Sequence, residues 1–252
     1  MPADPEVISL ILPAWNEAEG LMAAIAEASS VLEDLVDRGQ VAAYEIVIVD
    51  DGSTDATAAL AAEAAAANPR IRTVSHDRNR GVGAAFRTGL DLVAGDIVVW
   101  TDSDMPVDLS VIAGALGIRA EQGADLVAGA RSSRSSDGLV RWACTAGYDL
   151  AVNAVLGVKV DDVNFAFKLA PTSLLRSLDL RSEGAFIDAE LMATVLRAGR
   201  SVVVVPMDYR PRRFGTSSTL TPRTLTRLGR EFARHARRIR SIRGPADGQR
   251  SG

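Results

Sequence analysis

The sequence predicts an α/β fold, a mostly parallel sheet with helices on both of its faces. Three observations carry this expectation. Apolar, strand-length runs alternate with helix-length segments through the first half of the chain, the order expected of βαβ units. Three of those runs end in polar clusters, Pro13–Glu17, Asp50–Ser53 and Asp102–Asp104, at the strand ends where open sheets of this kind bind ligands. The length, 252 residues, fits one large domain or one domain with an appendage.

Taken in order, Val7–Leu12 is a buried-strand pattern closed by Pro13. The stretch Asn16-Glu17-Ala18-Glu19 opens an alanine-rich helix to about Arg38, with acids in the first turn where the helix dipole favours them. Tyr44–Val49 is a second strand, and Ser53 or Thr54 caps a helix from Asp55 to about Ala67. Ile71–Ser75 is a strand, Gly83–Ala94 a helix and Asp96–Thr101 a strand. In the second half, Pro106–Gly123 holds a helix and Asp125–Gly129 a strand, followed by the polar loop Ser132–Gly138. Arg141–Leu156 reads as a helix, Phe165–Leu169 as a strand, Phe186–Ala198 as a helix and Val202–Val205 as a strand closed by Pro206. The expected organisation is a main domain over residues 1–220, an amphipathic helix over 221–243 and a disordered tail over 244–252.

Composition narrows the classes. At 47% hydrophobic and 24% charged, the chain is ordinary for a globular protein with a sizeable core. Its one cysteine, Cys144, excludes an intramolecular disulfide framework and a cysteine-rich metal site. The start Met1-Pro2-Ala3-Asp4-Pro5-Glu6 lacks the basic and apolar regions of a signal peptide, and no apolar run approaches the roughly 20 residues of a membrane span. The expected location is cytoplasmic, peripheral on the membrane face if the tail binds there.

The net charge of −4 hides an asymmetry: residues 1–209 hold 16 Lys and Arg against 30 acids, whereas residues 210–252 hold 12 Arg against two acids. Such a tail either meets an anionic surface or neutralises its own acidic body. Within it, Leu225, Leu228, Phe232, Ala236, Ile239 and Ile242 recur at helical spacing among eight arginines of Pro222–Arg243. That helix either lies in an anionic membrane interface or packs on its own domain with a solvated arginine face. No nucleic-acid module accompanies the charge, so nucleic acid is not an expected partner. Oligomeric state is not legible.

The chemistry concentrates in Asp102-Ser103-Asp104, which follows the apolar run Ile97-Val98-Val99. Strand residues alternate faces, so carboxylates at i and i+2 are expected to point the same way. Two such carboxylates repel unless a cation or hydrogen-bond donors compensate them. The acidic pair Asp50-Asp51, ending another strand, strengthens the expectation of a shared site.

The motifs Ile11-Leu12-Pro13-Ala14-Trp15-Asn16-Glu17, Val47-Ile48-Val49-Asp50-Asp51-Gly52-Ser53-Thr54-Asp55, Asn79-Arg80-Gly81-Val82-Gly83 and Asp102-Ser103-Asp104 resemble, in order and spacing, those of the family-two inverting glycosyltransferases. Asp104-Met105-Pro106 and Arg212-Arg213-Phe214-Gly215-Thr216-Ser217 resemble the polyprenyl-phosphate mannose or glucose synthases within it. The resemblance implies a Rossmann-like GT-A fold, a nucleotide-sugar donor of the GDP-mannose or UDP-glucose type, and Mg²⁺ or Mn²⁺. It implies that Pro13, Ala14, Asn16 and Glu17 line the nucleoside pocket and that Asp51, beside Asp50, holds base or ribose. Arg80, Gly81 and Gly83 form the loop over the nucleotide, the glycines allowing close backbone approach. Asp102, Ser103 and Asp104 flank the donor, with Asp102 and Asp104 on the metal, which acts as a Lewis acid on the leaving diphosphate. Arg131, Arg212 and Ser217 are implied at the acceptor phosphate. Ser218 stands where that subgroup has lysine, with Arg210 or Arg213 as substitutes. Asp188, at an acidic helix start, is the candidate general base for a hydroxyl acceptor; an ionised phosphate needs none. Asp162 reads first as a turn carboxylate. His235 is expected in solvent and His76 in a loop near the nucleotide.

The function expected is therefore transfer of a hexose to a polyprenyl phosphate. The alternatives are transfer to a soluble sugar or small-molecule hydroxyl, and nucleotidyl transfer forming an activated sugar. The latter usually has a glycine-rich, lysine-containing loop after its first strand, which Pro13-Ala14-Trp15-Asn16-Glu17 is not.

Overall fold

A computed structural model describes residues 5–132, 139–160, 162–210 and 222–242. The elements are β1 (Val7–Ala14), α1 (Leu21–Asp37), β2 (Ala43–Asp50), α2 (Thr57–Ala67), β3 (Ile71–Ser75), α3 (Val82–Leu92), β4 (Ile97–Thr101), α4 (Val111–Gln122), β5 (Leu126–Arg131), α5 (Leu139–Leu156), β6 (Phe167–Pro171), α6 (Thr172–Ser177), α7 (Ile187–Arg197), β7 (Val202–Met207) and α8 (Pro222–Ser241). The strands form one sheet in the order β3-β2-β1-β4-β6-β5-β7. Among the described strands only β6 runs against its neighbours, antiparallel to both β4 and β5.

The expected layering holds because the strand residues divide cleanly between two cores. On one face Ile8, Leu10 and Leu12 of β1 pack with α1, α2 and α4. On the other, Ile11 of β1 with Val47 and Val49 of β2 packs against α3, α5, α6, α7 and α8. This is the period-two alternation of a strand covered on both sides. Within the second core Phe86 of α3 stacks on Trp100 of β4, ring centroids 4.2 Å apart.

Several helices begin later than the sequence suggests. The backbone N–H groups of Asn16, Glu17 and Ala18 donate to Ser53 Oγ, Thr57 Oγ1 and Asp55 Oδ2, so this segment is a turn fastened to the next loop and α1 starts at Leu21. Neither Ser53 nor Thr54 caps α2. Its cap position is Ala56, and the Asp55 carboxylate takes the Thr57 N–H at 3.0 Å. α4 starts at Val111, after a turn at Leu109–Ser110 in which the Asp108 carboxylate accepts the Ser110 N–H. The short α6 has too few residues to show a helical period.

The apolar stripe of α8 faces the domain. Leu228, Phe232, Ala236 and Ile239 join the second core, and Phe232 meets Phe186 edge-on at 5.4 Å. Arg230, Arg234, Arg237 and Arg240 face outward. His235 corrects the expectation of a solvated side chain: it is 8% exposed and lies over the Phe186 ring. No described helix is long and apolar enough to cross a membrane. The expected tail over 244–252 and residues 133–138 of the polar loop lie outside the described residues.

Burial holds the His235 imidazole below its ordinary value, aided by Arg234, Arg181 and Arg87 and opposed by Glu231. The unfolded chain therefore binds more protons than the folded one just below pH 6.5. Acidification from about pH 7 to 5 is expected to lower the unfolding free energy, and His235→Asn should flatten that part of the pH profile in urea titrations.

Candidate active site

β2 and β4 flank β1, so the carboxyl ends of these parallel strands lie side by side. Ala14 stands opposite Asp50 in register, and the Asp51 N–H donates to the Ala14 carbonyl at 2.8 Å. Pro13 and Ala14 thus form the end of β1. Asn16 and Glu17 follow in the turn, with Asn16 at φ 55° and its Oδ1 accepting the Thr54 N–H at 2.8 Å. A cleft of about 540 Å³ opens here, lined among others by Trp15, Asp50, Ser53, His76, Arg78 and Asn79. Asp50 is buried and accepts the Ser53 N–H at 3.1 Å. Trp15 is 43% exposed, an unusual position for a large ring in a folded chain.

Asp51 has a different set of neighbours from the one expected of a base or ribose ligand. Its buried carboxylate accepts the Arg80 N–H at 2.9 Å and the Gly81 N–H at 2.7 Å, and His76 Nδ1 lies 2.7 Å away. His76 Nε2 meets Thr88 Oγ1 on α3 at 3.0 Å. Asp51 and His76 therefore fasten the loop before α3, and Asp50 is the carboxylate that lines the cleft. Gly81 and Gly83 are needed for close approach, here to the chain's own backbone. A Cβ on Gly81, which has φ 106°, would stand 2.4 Å from the Glu183 carbonyl, and one on Gly83 2.5 Å from the Ser182 carbonyl. The Glu183 carbonyl accepts the Gly83 and Ala84 N–H groups at 2.8 and 3.1 Å, which caps the start of α3.

Asp102, Ser103 and Asp104 follow β4, which ends at Thr101. The alternation argument for the two carboxylates does not hold, because they lie in a turn closed by the Met105 N–H on the Asp102 carbonyl at 3.1 Å. Met105 has φ 50°, a conformation uncommon outside glycine and associated with functional strain. Ser103 is buried, with Asp102 and Asp104 partly so. Among the described residues no three His, Cys, Asp or Glu side chains gather as a ready-made metal cage.

Beside this turn lies a buried ionic cluster that the sequence reading missed. Lys168 on β6, paired with Trp100 of β4, is 3% exposed. Its ammonium contacts the Asp188 carboxylate and donates to the Val163 and Phe165 carbonyls at 3.1 and 2.5 Å. It also sits 5.5 Å from the centre of the Trp100 ring. Burial pushes the Asp188 carboxyl above the usual carboxylate range, against the pull of Lys168. Burial, then the nearby Asp188 charge, pushes the Tyr148 phenol well above its ordinary value. The available signal was a lone lysine inside the apolar run Phe165–Leu169.

Arg131 ends β5 and is fixed from several sides. Its N–H donates to the buried Asp162 carboxylate at 2.9 Å, its Nε lies 3.8 Å from the same oxygen, and its guanidinium stands over Tyr209 at 5.0 Å. Asp162 has φ 48°, and Asp149 accepts its N–H and that of Val163. Asp162 is thus a turn carboxylate, as read, with a buried ion pair added. Arg210 is not available as a substitute phosphate ligand, since it bridges Glu27 at 2.5 Å and Asp108. Arg212, Arg213, Ser217 and Ser218 lie outside the described residues.

Glucosyl-3-phosphoglycerate synthase from Mycobacterium tuberculosis, in complex with phosphoglyceric acid, superposes with a TM-score of 0.68 at 26% identity, covering 91% of this chain and 80% of that one. The same enzyme with Mn²⁺, UDP-glucose and phosphoglyceric acid gives 0.64 at 26% identity over 89% of this chain and 80% of that one. Mannosyl-3-phosphoglycerate synthase from Rubrobacter xylanophilus shares the fold, with a TM-score of 0.68 at 22% identity over 93% of this chain and 74% of that one. Among curated proteins, undecaprenyl-phosphate 4-deoxy-4-formamido-L-arabinose transferase from Salmonella paratyphi B is 27% identical over 211 residues, 83% of this chain. The chain spans 62% of that relative's length. These neighbours bear out the GT-A expectation. The family described as "Glycosyl transferase family 2" matches residues 9–179, more than half of the chain, and the protein belongs to that family of glycosyltransferases.

Proposed function

We propose that the protein transfers a hexose from a nucleoside-diphosphate sugar to a polyprenyl phosphate, with inversion at the anomeric carbon, as a peripheral enzyme of the cytoplasmic membrane face. The observation that supports the donor half is the cleft at Asp50, two strands away from the Asp102–Asp104 turn. At the spacing of neighbouring strands this separation is about 10 Å, a reach suited to a nucleoside on one side and its diphosphate on the other. In this reading Pro13, Ala14, Trp15, Asn16, Glu17 and Asp50 surround the nucleoside. Asp51 sets the Arg80–Gly81 segment beside it, and Ser103 and Asp102 face the sugar diphosphate.

Asp102 and Asp104 offer hard carboxylate oxygens, and Mg²⁺ or Mn²⁺ borne by a diphosphate needs only one or two of these from the protein. They are the residues that would hold the ion, and when bound it would supply Lewis-acid stabilisation of the departing diphosphate. The M. tuberculosis neighbour binds Mn²⁺ with its UDP-glucose.

The acceptor half rests on two supports: the curated relatives act on undecaprenyl phosphate, and α8 turns Arg230, Arg234 and Arg237 outward, where they would meet an anionic surface. Arg131, with Arg212 and Ser217, would receive the acceptor phosphate, whose ionised oxygen needs no base. A second reading has its own observation. Asp188 has a raised pKa that suits a general base, which a hydroxyl acceptor requires, and the M. tuberculosis neighbour is bound to phosphoglyceric acid, a soluble hydroxy acid.

A panel of nucleoside diphosphates with and without Mn²⁺, read by thermal shift, is expected to select one base and to depend on the ion. Sugar transfer would then be followed by mass spectrometry with undecaprenyl phosphate and with 3-phosphoglycerate as competing acceptors. Lipid product supports the first reading, and product on phosphoglycerate alone the second. Asp104→Ala should lower transfer about a thousandfold or more, the scale of a lost transition-state electrostatic contact, with an unchanged unfolding midpoint. Normal turnover would rule out that residue's role.

The buried pair supplies an independent test. Lys168→Met leaves the Asp188 carboxyl buried without its counter-ion and should cost about 3–5 kcal/mol in urea unfolding. Combining it with Asp188→Leu should recover most of that loss.

A further inference from the structure

α8 is remote in sequence from the donor cleft, yet an unbroken series of polar contacts joins the two. Glu231 on its inner face is 6% exposed. One of its carboxylate oxygens accepts the Gly184 N–H at 2.8 Å and the Glu183 N–H at 3.3 Å, with Arg227 Nε 3.7 Å away. The Glu183 carbonyl in turn accepts the Gly83 and Ala84 N–H groups. The Arg227 guanidinium donates directly to the Arg80 carbonyl. Two turns further along α8, Arg238 pairs with Glu190, whose buried carboxylate takes the Arg181 and Ser182 N–H groups at 3.0 and 2.7 Å.

The segment 181–184 is therefore gripped by two carboxylates on one side and pressed against the 80–83 backbone on the other. The seam has no slack. Cβ atoms on Gly81 or Gly184 would stand 2.7 Å from Arg227 Nη2 and 2.9 Å from Glu231 Oε2, respectively. Beyond the seam, Asp51 holds Arg80 and Gly81 from the opposite side, and the residues just before them, Arg78 and Asn79, line the cleft. Segments with no regular hydrogen bonding of their own take their position from such charge-assisted contacts. Deleting one leaves buried N–H groups unsatisfied and lets the loop drift.

We infer that Glu231 and Arg227 are positioning residues for the donor: through the 181–184 segment and the Arg80 carbonyl, α8 fixes the loop that walls the nucleotide cleft. The inference rests on the donor reading of that cleft. It makes α8 part of the binding site at second remove, independently of any role of its outer face at a membrane.

Calorimetry of the full chain with UDP and GDP in the presence of Mn²⁺ tests it, since a loosened loop weakens Kd while a misfolded fraction lowers the number of sites at unchanged Kd. Glu231→Ala is expected to raise Kd about tenfold or more, the equivalent of one hydrogen bond to a charged group, with stoichiometry near that of wild type. Glu231→Gln, which keeps an acceptor oxygen, should fall between the two. Arg227→Ala, at a half-exposed site, should raise Kd about threefold by removing one anchor. Ala233→Gln, on the outward face of the same helix, should change nothing. Unchanged Kd in both Glu231→Gln and Arg227→Ala, with or without a loss of sites in Glu231→Ala, overturns the inference. Failure of the wild-type protein to bind either nucleotide overturns the donor reading itself, and the inference with it.

Discussion

The Asp51 carboxylate accepts the N–H groups of Arg80 and Gly81 and meets the His76 ring, and the candidate donor site is organised around those contacts. A carboxylate at 3% exposure is unfavourable unless hydrogen bonds replace its lost water. Two backbone donors and an imidazole do so here. In return, a loop with no secondary structure acquires one position relative to the end of β2. Because β2 is bound to β1 by a full ladder, that position carries over to Pro13, Ala14 and the turn after them.

The same device recurs around this rim. Asp149 receives the Asp162 and Val163 N–H groups, Asp162 that of Arg131, Glu190 those of Arg181 and Ser182, and Glu231 those of Glu183 and Gly184. Buried acids thus act as local substitutes for ladder partners, satisfying backbone donors that would otherwise be orphaned. The negative charge of the first 209 residues has a structural use, distinct from a solvated surface. Two arginines of α8, Arg227 and Arg238, answer these acids.

Much of the frame was legible from local pattern. The continuous apolar runs marked β1, β2 and β4 to within a residue or two, since burial on both faces leaves little else a strand can be; the edge strand β3, only partly buried, was read by its short mixed run. The motif order at the strand ends gave the family. What local pattern missed depends on distant partners. Asn16 and Glu17 looked like a helix start, but their N–H groups are claimed by Ser53 and Thr57, some 40 residues away. The strand rule was extended to Asp104 after β4 had already ended at Thr101. His235 looked solvated among arginines because its neighbour, Phe186, is remote in sequence. Lys168 was overlooked because one cation in an apolar strand has no motif, only a counter-ion twenty residues on at Asp188.

The reversed course of β6 has a consequence for how the two halves of the chain share one rim. Every other strand brings its outgoing loop there. β6 pairs its first residue, Phe167, with the last residue of β4, Thr101, so it is the incoming segment, residues 162–166, that arrives beside Asp102. A single inverted strand therefore lets a later stretch of polypeptide furnish groups to a crevice otherwise built from exits. Lengthening or shortening that entry segment would alter the opposite wall of the crevice while leaving the nucleotide-facing loops and their ladder untouched.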